Sequence, residues 1–427
     1  MKFSPPQYVN NLKCLVCGSS YSHGNIFTCP HCGIEGILDV QYDYEAIVQN
    51  PKSLPAASLR QAGAIRNPQS SDIWRYKDLL PISQEIPLPH LHVGWTPVYD
   101  VPRLARYFGL RKLFLKDDGR NPTNSFKDRA SAIGVMKAME FGFNTIACAS
   151  TGNAASSLAG LSAAVGLKSY IFVPERAPEP KITQLLIFGA TVFRVKGTYE
   201  QAFDLSKQSC DQFGWYNRNS GTNPFLVEGK KTAGLEIAEQ MKEHLPDWVV
   251  VSVGDGCTIG GIGKGLQEMK QLGLIDRVPR LLGVQAEGAK PILDAFASGK
   301  DLIPTGTNTI ADSIAVGTPR NWRRAIQQVR SSHGEMVAVS DEEILEAMRV
   351  TARLGGVFGE PAGVAGAAGL KKAVEQKIVK SNETAVIVIT GNGLKDIQSA
   401  KQAAGKEHLV EPTLDAVAEL LEKQLKL

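Results

Sequence analysis

Short apolar runs alternate with amphipathic stretches along most of this chain, starting near residue 96. The apolar runs are bounded by turn residues and predict buried strands. The stretches between them carry apolar residues at helical spacing. The predicted strands lie in KLFLKDD, TIACAS, SYIFVP, ATVFRV, WVVVSVG, LLGVQAEG and AVIVITGNG. Helices are predicted through SFKDRASAIGVMKAMEFG, AASSLAGLSAAVGL and YEQAFDLSKQSCDQFG, and from about Ile259.

Repeated strand, helix, strand units build parallel sheets that helices cover. Two α/β lobes accommodate the predicted strands, and ligands are expected at the carboxyl ends of the strands and between the lobes. The last residues, EPTLDAVAELLEKQLKL, predict an amphipathic helix that packs on the body or on a second subunit. Prolines predict an irregular connecting region over residues 41–95, at Pro51, Pro55, Pro68, Pro81, Pro87 and Pro89.

Length and composition agree with two lobes, because 427 residues with 43% hydrophobic side chains exceed one ordinary core. The formal charge of +4 arises from 47 basic and 43 acidic residues without long basic runs, which favours a small-molecule partner over nucleic acid or membrane. No apolar run approaches the roughly 18 residues of a membrane span. The start, MKFSPPQYVNNLK, lacks the apolar core of a signal peptide. We therefore expect a cytoplasmic protein with reduced thiols.

Four of the seven cysteines form two closely spaced pairs near the N-terminus. The pairs are Cys14 with Cys17 and Cys29 with Cys32, and a glycine follows each pair. Turns of this kind direct two thiolates toward one point, so four thiolates make a closed tetrahedral zinc site. Such a site leaves no position for water, so the metal would hold structure and perform no chemistry. The neighbouring His23 is expected at the surface. Two chance pairs in a small flexible leader are the alternative.

A turn-forming Asn-Pro-Thr-Asn run precedes the helix predicted through SFKDRA. Ser125 lies near the expected N-cap, so Lys127 falls in the first helical turn. A lysine is electrostatically out of place there, because that end of a helix favours anions. If the side chain is buried, its amine is pushed toward the neutral, nucleophilic form. From the residues alone, a solvated surface lysine remains the alternative.

Three further turns follow predicted strands. The turn at residues 149–154, ASTGNA, offers hydroxyls and backbone N–H groups to a carboxylate or phosphate. The loop at 254–261, GDGCTIGG, can fold closely around a single phosphate, and it lacks both the P-loop ending and the dinucleotide fingerprint. In the turn at 390–396, TGNGLKD, a hydroxyl can bond a ring nitrogen or cap the turn. An ordinary capped turn is the alternative for each.

Taken together, seven segments resemble the threonine synthases, which are fold-type-II pyridoxal-phosphate enzymes. They run in order from about residue 90 to residue 400: NPTNSFKDRA, STGNAASSLAGLSAAVGL, NPFLVEGKKTAGLEIAEQ, VSVGDGCTIGGIGKG, ADSIAVGTPR, GVFGEPAGVAG and ITGNGLKD. The cysteine module and LDVQYDYE also resemble the zinc-ribbon start of many bacterial and archaeal members.

This resemblance implies an α/β fold like that of the tryptophan synthase β subunit, with two three-layer lobes and a small N-terminal zinc ribbon. The implied zinc ribbon spans residues 1–40. A large cofactor-binding domain would comprise residues 41–118 and 211–427. A small domain at residues 119–210 would carry the neighbourhood of Lys127. The family also suggests a homodimer.

The resemblance further implies a role for each motif. Lys127 would hold pyridoxal phosphate as a Schiff base and later shuttle protons. Asn153 would contact the 3'-oxygen of the cofactor, and Thr390 its pyridine nitrogen. The substrate would meet Ser150 and Thr151 through its carboxylate, with Asn124 and Ser125 also in its site. The cofactor phosphate would be wrapped largely by the backbone of Gly254, Asp255, Gly256, Cys257 and Thr258, with the carboxylate of Asp255 turned away.

The implied reaction converts O-phospho-L-homoserine and water to L-threonine and phosphate. A neutral hydroxyl at Thr390 would not hold the cofactor ring protonated, which favours elimination or replacement over transamination. Family members often carry arginine at the position of Leu226, where it helps to hold the substrate phosphate. Leucine cannot form that charge-assisted bond. Compensating contacts are sought at Lys230, Lys231, Asn219 or Ser220.

Leu226 therefore keeps two alternatives of the same fold open, a serine or threonine dehydratase and a β-replacement enzyme such as cysteate synthase. Both would use the same cofactor residues. A zinc-dependent nucleic-acid-binding protein is the alternative from another class. The cysteine segment lacks the dense basic and aromatic patch that such a protein needs.

Overall fold

The computed structural model describes residues 3–50, 70–177 and 179–422, and within these ranges thirteen strands form three sheets. The strands are β1 (Val9–Cys14), β2 (Ser20–Tyr21), β3 (Leu38–Tyr42), β4 (Val98–Asp100), β5 (Lys112–Asp117), β6 (Thr145–Ala149), β7 (Lys168–Pro174), β8 (Thr191–Val195), β9 (Tyr216–Asn217), β10 (Trp248–Ser252), β11 (Arg280–Ala286), β12 (Glu335–Val339) and β13 (Thr384–Ile389).

The largest sheet has six strands in the order β12-β11-β10-β13-β5-β4. Five strands are parallel, and β4 pairs antiparallel with β5 at one edge. Every residue of Trp248–Ser252 is buried, as expected for a central parallel strand with helices on both faces. This sheet forms the centre of the larger lobe.

Four parallel strands in the order β8-β7-β6-β9 form the sheet of the smaller lobe. This sheet spans residues 145–217, so its last strand lies beyond the boundary predicted at residue 210. The N-terminal residues form a third, antiparallel sheet in the order β2-β1-β3. Leu12, Leu38 and Val40 are completely buried in it.

Helices cover the sheets, and the chain alternates strand and helix as the hydrophobic pattern predicts. The α-helices are α1 (Tyr44–Gln49), α2 (Pro102–Phe108), α3 (Lys127–Glu140), α4 (Asn153–Val165), α5 (Glu179–Ile187), α6 (Tyr199–Phe213), α7 (Phe225–Gln240), α8 (Cys257–Gln271), α9 (Pro291–Ser298), α10 (Trp322–Ser331), α11 (Asp341–Gly355), α12 (Pro361–Glu375), α13 (Ile397–Ala403) and α14 (Leu414–Leu420). Short 3-10 helices lie at Gly33–Glu35, Ile73–Leu79, Asp118–Arg120, Lys242–His244, Asp312–Ile314 and Gly393–Lys395. No helix in the described ranges has the length and apolar character needed to cross a bilayer.

All seven strands predicted from the hydrophobic pattern are confirmed, and the helix expected from about Ile259 begins two residues earlier, at Cys257. The pattern did not reveal β4, β9 and β12. Residues 51–69 of the proline-rich region lie outside the described residues. The rest of that region packs on the body through buried Ile73 and Tyr76. The predicted C-terminal helix is present as α14 and has no buried residue, while residues 423–427 lie outside the described ranges.

The start of α3 is fixed against the end of β13, and this junction positions the site. The Phe126 N–H donates to the Thr390 carbonyl at 2.9 Å, and the Asn392 N–H donates to the Asn124 carbonyl at 3.1 Å. Helix α3 also crosses α7 at very short range, because a Cβ at Gly229 would lie 2.1 Å from the Arg129 carbonyl oxygen. Two motifs that are far apart in the sequence therefore share one backbone junction.

Candidate active site

Lys127 is the first residue of α3, as the turn chemistry predicted. The N-cap is Phe126 rather than Ser125, and no side chain caps the helix. The Ser125 hydroxyl is buried without a hydrogen-bond partner. Burial, together with the neighbouring cations Lys230 and Arg218, lowers the pKa of the Lys127 amine to about 8. A larger fraction of this amine is therefore neutral and nucleophilic than in an ordinary lysine.

Asn153 begins α4 directly behind the turn at residues 150–152. Its side-chain amide donates to Glu360 Oε1 at 2.6 Å and to Ser313 Oγ at 3.4 Å. Glu360 is 6% exposed, and burial raises the pKa of its carboxyl group. Sequence patterns did not single out Glu360, because a Glu-Pro pair indicates only the start of a helix. The structure shows that this carboxyl group fixes the amide of Asn153.

A cavity of about 270 Å³ opens beside these side chains, and its lining includes Asn124, Thr151 and Asn153. Ser150 Oγ accepts a hydrogen bond from the Gly152 N–H at 3.2 Å, so this hydroxyl shapes the turn. Two lysines on opposite lobes also line the cavity. Lys181 forms a 2.5 Å ion pair with Asp312, and Lys395 donates to Ser156 Oγ at 3.0 Å.

The glycine-rich loop at residues 254–258 leads from β10 into α8. A Cβ at Gly256 would lie 2.7 Å from the Asn321 carbonyl oxygen, and the φ angle of +88° there also requires glycine. The Asp255 carboxylate accepts from the Arg320 N–H at 2.7 Å and from the Cys257 thiol at 3.1 Å. The first N–H groups of α8, from Cys257 and Thr258, have no acceptor within the helix and can bind an anion.

Arg218 and Lys230 lie close to Lys127, and we call these three residues the cationic cluster. Arg218 and Lys230 are 1% and 2% exposed. Burial is the largest cause of a lowered pKa for both side chains, and Arg218 lowers that of Lys230 further. Within the described residues, none of the three forms an ion pair with a carboxylate. The sequence named Lys230 as one of several candidates and did not single out Arg218.

The residues considered as a replacement for the charge that Leu226 lacks have different partners in the structure. Lys231 is bound to Glu228 at 2.6 Å and to Glu268 at 2.9 Å, so its charge is already neutralised. Asn219 Oδ1 accepts from the Ala149 N–H at 3.1 Å, whereas its Nδ2 is buried without a partner. Ser220 Oγ accepts from Arg218 at 2.9 Å. Lys231 is therefore excluded, and Asn219 and Ser220 adjoin the cationic cluster.

The four N-terminal cysteines converge as their spacing predicted. Their sulfur atoms all lie within 4.8 Å of one another. Two of the distances are 3.6 Å, between Cys17 and Cys29, and 4.0 Å, between Cys14 and Cys32. A tetrahedron with zinc–sulfur bonds of about 2.3 Å has edges of about 3.8 Å, so this geometry fits a four-thiolate metal site. A Cβ at Gly36 would lie 2.5 Å from the Cys29 Cβ, so glycine is needed behind the site.

The residues present also fit pyridoxal phosphate. Lys127 offers a partly neutral amine, and the loop at residues 254–258 offers backbone donors for a phosphate. Two further cations without carboxylate partners lie beside the amine, which favours anionic ligands. Thr390 Oγ and the Asn153 amide are brought to the same junction by β13 and α4.

Comparison with known proteins agrees with this chemistry. Residues 90–391 match the family described as pyridoxal-phosphate dependent enzyme. A threonine synthase of Methanosarcina acetivorans is 39% identical over 96% of this chain and 98% of its own length. A threonine synthase of Methanocaldococcus jannaschii is also 39% identical, over 96% of this chain and 99% of its own length.

Solved structures show the same fold. Maize serine racemase is 22% identical with a TM-score of 0.62, over 78% of this chain and 92% of its own. The processed form of threonine deaminase isoform 2 from Solanum lycopersicum is 22% identical with a TM-score of 0.64, over 72% and 87%. The sequence matches and the shared fold together show that this chain belongs to the pyridoxal-phosphate-dependent enzymes and, within them, to the threonine synthase family.

Proposed function

We propose that this protein converts O-phospho-L-homoserine and water to L-threonine and phosphate, with pyridoxal phosphate held at Lys127. The observation that carries this proposal is the position of a partly neutral lysine between a phosphate-binding loop and a hydroxyl-rich turn. Membership of the threonine synthase family supplies the choice of reaction.

When bound, the cofactor supplies an electron sink for the negative charge that develops on the substrate carbon atoms. Lys127 takes the proton from Cα and returns protons in later steps, because its lowered pKa lets it both accept and donate near neutral pH. Thr390 binds the ring nitrogen through a neutral hydroxyl. The N–H groups of Cys257 and Thr258 hold the cofactor phosphate at the start of α8.

Asn153 and Glu360 act as a hydrogen-bonded pair. Glu360 orients the Asn153 amide through their 2.6 Å hydrogen bond, so that Asn153 can donate to the cofactor 3'-oxygen. The substrate carboxylate binds at the turn of Ser150 and Thr151. The hydroxyls and N–H groups of this turn lie where β6 meets α4, which is a favourable position for an anion.

We also propose that the four cysteines bind a structural zinc ion. The N-terminal sheet is tied to the catalytic lobe, because Asp39 pairs with Lys264 at 3.1 Å and also with Arg324. His23, expected at the surface, instead lies 2.9 Å from Lys137 Nζ and beside the ring of Phe225. Removal of zinc is expected to loosen these contacts, with about one zinc per chain lost by native mass spectrometry and a lower melting temperature.

The first experiment follows phosphate release from O-phospho-L-homoserine by the cofactor-loaded protein and identifies the amino-acid product. Equal amounts of phosphate and threonine are expected. Serine, threonine and O-phosphoserine are the matched controls, because a dehydratase or β-replacement enzyme of the same fold would turn over one of them instead. Absence of phosphate release from a protein that carries the cofactor would contradict the proposal. The expectation of a cytoplasmic homodimer stays a prediction, which light scattering tests for the oligomer.

A further inference from the structure

Arg218 is a buried cation whose hydrogen bonds all go to neutral groups. Its Nη2 donates to Ser131 Oγ at 2.9 Å, and its Nη1 donates to Ser220 Oγ at 2.9 Å. Ser131 lies one turn beyond Lys127 on the same helix, so the guanidinium is directed at the face that carries the amine. A buried arginine normally finds a carboxylate, and within the described residues Arg218 has none.

The residue next to Arg218 carries a second unused group. Asn219 is 5% exposed, and its Nδ2 has no hydrogen-bond acceptor. A buried donor without an acceptor is costly, and a native fold rarely keeps one without a reason. Arg218 and Asn219 are therefore consecutive buried donors, and neither has an anionic acceptor within the described residues.

The position of this site distinguishes the substrate from the cofactor. Arg218 follows β9 directly, and its N–H donates to the Ala147 carbonyl of β6 at 2.9 Å. Strand β6 ends at the turn of Ser150 and Thr151, which belongs to the proposed substrate site. Lys230, in contrast, is on α7 and lies within hydrogen-bonding reach of the Cys257 thiol in the phosphate loop. Arg218 thus adjoins the substrate turn, and Lys230 adjoins the cofactor phosphate loop.

Leu226 and Arg218 meet at one point on the lysine helix. A Cβ added at Gly134 of α3 would lie 2.9 Å from Leu226 Cδ2 and 3.7 Å from Arg218 Cγ. The two side chains therefore share the space over Gly134, although they come from different elements.

We propose that Arg218, assisted by the Asn219 amide, binds the phosphate of the substrate and makes the enzyme specific for a phosphorylated amino acid. This assignment rests on the proposed function. A guanidinium binds two phosphate oxygens with charge-assisted bonds, which neither Leu226 nor the serine hydroxyls can provide. Arg218 is 1% exposed, and a charge-assisted bond to a buried guanidinium is stronger than one in water.

The two lysines of the cavity are the rival candidates. Lys181 is already paired with Asp312 at 2.5 Å and is partly exposed. Lys395 donates a hydrogen bond to Ser156 Oγ. Burial lowers the pKa of Lys395, and the nearby carboxyl groups of Glu360 and Asp128 partly reverse this lowering. Asp128 acts on Arg218 as well, but the hydrogen bonds of this guanidinium all go to the hydroxyls of Ser131 and Ser220, and it is more deeply buried than Lys181.

The test compares the wild-type holoenzyme with Arg218→Gln and Lys181→Gln, using inorganic phosphate as the probe in calorimetry and O-phospho-L-homoserine in kinetics. We expect Arg218→Gln to weaken phosphate binding and to lower kcat/KM by roughly 10- to 150-fold, with the cofactor still bound. Arg218→Lys should recover part of the loss. Equal phosphate affinity in wild type and Arg218→Gln, a larger loss in Lys181→Gln, or loss of the cofactor from Arg218→Gln would each overturn the assignment.

A charge-relocation variant covers the case in which Arg218→Gln folds poorly. The double variant Arg218→Leu with Leu226→Arg moves the guanidinium to the side chain that packs beside the Arg218 stem over Gly134. It should bind phosphate at least tenfold more tightly than Arg218→Leu alone, and a folded double variant with no such gain contradicts the assignment.

The two proposals can fail separately. Phosphate binding that depends on Arg218 in a protein that makes no threonine would remove the proposed reaction and keep Arg218 as the anion-binding residue. Threonine formation at the same kcat/KM in wild type and Arg218→Gln would keep the reaction and remove Arg218.

Discussion

Two groups of buried charges lie on either side of the start of α3, and they differ in balance. The first, which we call the balanced network, joins Arg129 and Lys116 to Asp118 and Glu236. Arg129 binds Asp118 at 2.6 Å and Glu236 at 2.5 Å, Lys116 binds Glu236 at 2.7 Å, and all four side chains are completely buried. Burial alone would raise the pKa of Glu236, but Arg129 and Lys116 hold it at about 2.

The cationic cluster of Lys127, Arg218 and Lys230 has no such partners, although Lys127 is only two residues before Arg129 on α3. Burial lowers the pKa of each of these groups, so the folded protein disfavours their charged forms. We infer from this difference that the balanced network stabilises the contacts between elements, while the cationic cluster binds anionic ligands. Anionic groups of the cofactor and the substrate would complete the second group as carboxylates complete the first.

The largest expected effect is that of Lys127→Ala, which removes the reactive member of the cationic cluster. Turnover should fall by roughly 10⁴-fold or more, above about 5 kcal/mol of barrier, because both the covalent attachment and the proton shuttle are lost. Borohydride should no longer fix the cofactor to the protein. The apoenzyme should unfold no earlier than wild type, because a buried positive charge without a partner has been removed. Turnover at a near-normal rate would show that Lys127 is not the cofactor lysine.

Arg129→Met tests the balanced network and should produce the largest loss of stability. Asp118 would keep no cation and Glu236 only Lys116, and breaking a buried pair in this way costs about 3–5 kcal/mol. Urea unfolding of the apoenzyme measures the change. The matched control is Arg218→Met, which removes an equally buried arginine from the cationic cluster and should lower the free energy of unfolding much less. Equal losses in the two variants would show that charge balance does not distinguish the groups.

Adjacent lysines on α7 provide a sharper version of the same test. Lys230→Gln should weaken cofactor binding by roughly 10- to 100-fold without destabilising the apoenzyme, because Lys230 adjoins the phosphate loop and has no carboxylate partner. Lys231→Gln should instead destabilise the fold and leave the cofactor affinity near that of wild type, because Glu268 loses its ion-pair partner and Glu228 keeps only Lys264. Cofactor titration and thermal melts separate the two outcomes. A Lys230→Gln variant with unchanged cofactor affinity would contradict the proposed difference between the roles of Lys230 and Lys231.

The sequence predicted the position of Lys127 in the first turn of a helix, the glycine-rich loop and the convergence of the four cysteines, because each depends on local turn chemistry. The reactive role of Lys127 and the role of the loop in binding the cofactor phosphate came from the family resemblance and stay predictions. Gly256 permits the positive φ angle that its loop needs, and the spacing within each cysteine pair directs two sulfur atoms toward one point. The strands that bring these turns together were also predicted, since each is a short apolar run of a parallel sheet.

Residues whose roles depend on tertiary neighbours could not be predicted in this way. Arg218 follows a strand of only two residues, and nothing in YNRNSG indicates that its side chain reaches α3. Lys230 and Lys231 look alike in the sequence. The spacing of Glu228 and Lys231 predicts one helical pair, but Glu268 comes from another helix, and the absence of a partner for Lys230 has no local signal.

The smallest expected effect is the pH dependence of cofactor loading, which reports the charge of the cationic cluster directly. The neutral amine is the nucleophile, and a pKa of about 8 leaves roughly one-tenth of Lys127 neutral at pH 7 and about half at pH 8. The rate at which the apoenzyme binds pyridoxal phosphate should therefore rise about fivefold between pH 7 and pH 8 and level off above pH 9. Arg218→Gln or Lys230→Gln should shift this profile to higher pH, because each removes a positive charge that lowers the pKa of the amine. The lowered pKa of Lys127 also affects stability. Between the folded pKa of about 8 and the ordinary value of 10.5, the unfolded chain binds more protons at Lys127 than the folded protein does. The free energy of unfolding of the apoenzyme should therefore increase as the pH rises through this window. A loading rate that rises tenfold per pH unit up to pH 10, as for an ordinary lysine, would mean that neither burial nor the neighbouring cations lower the pKa of Lys127.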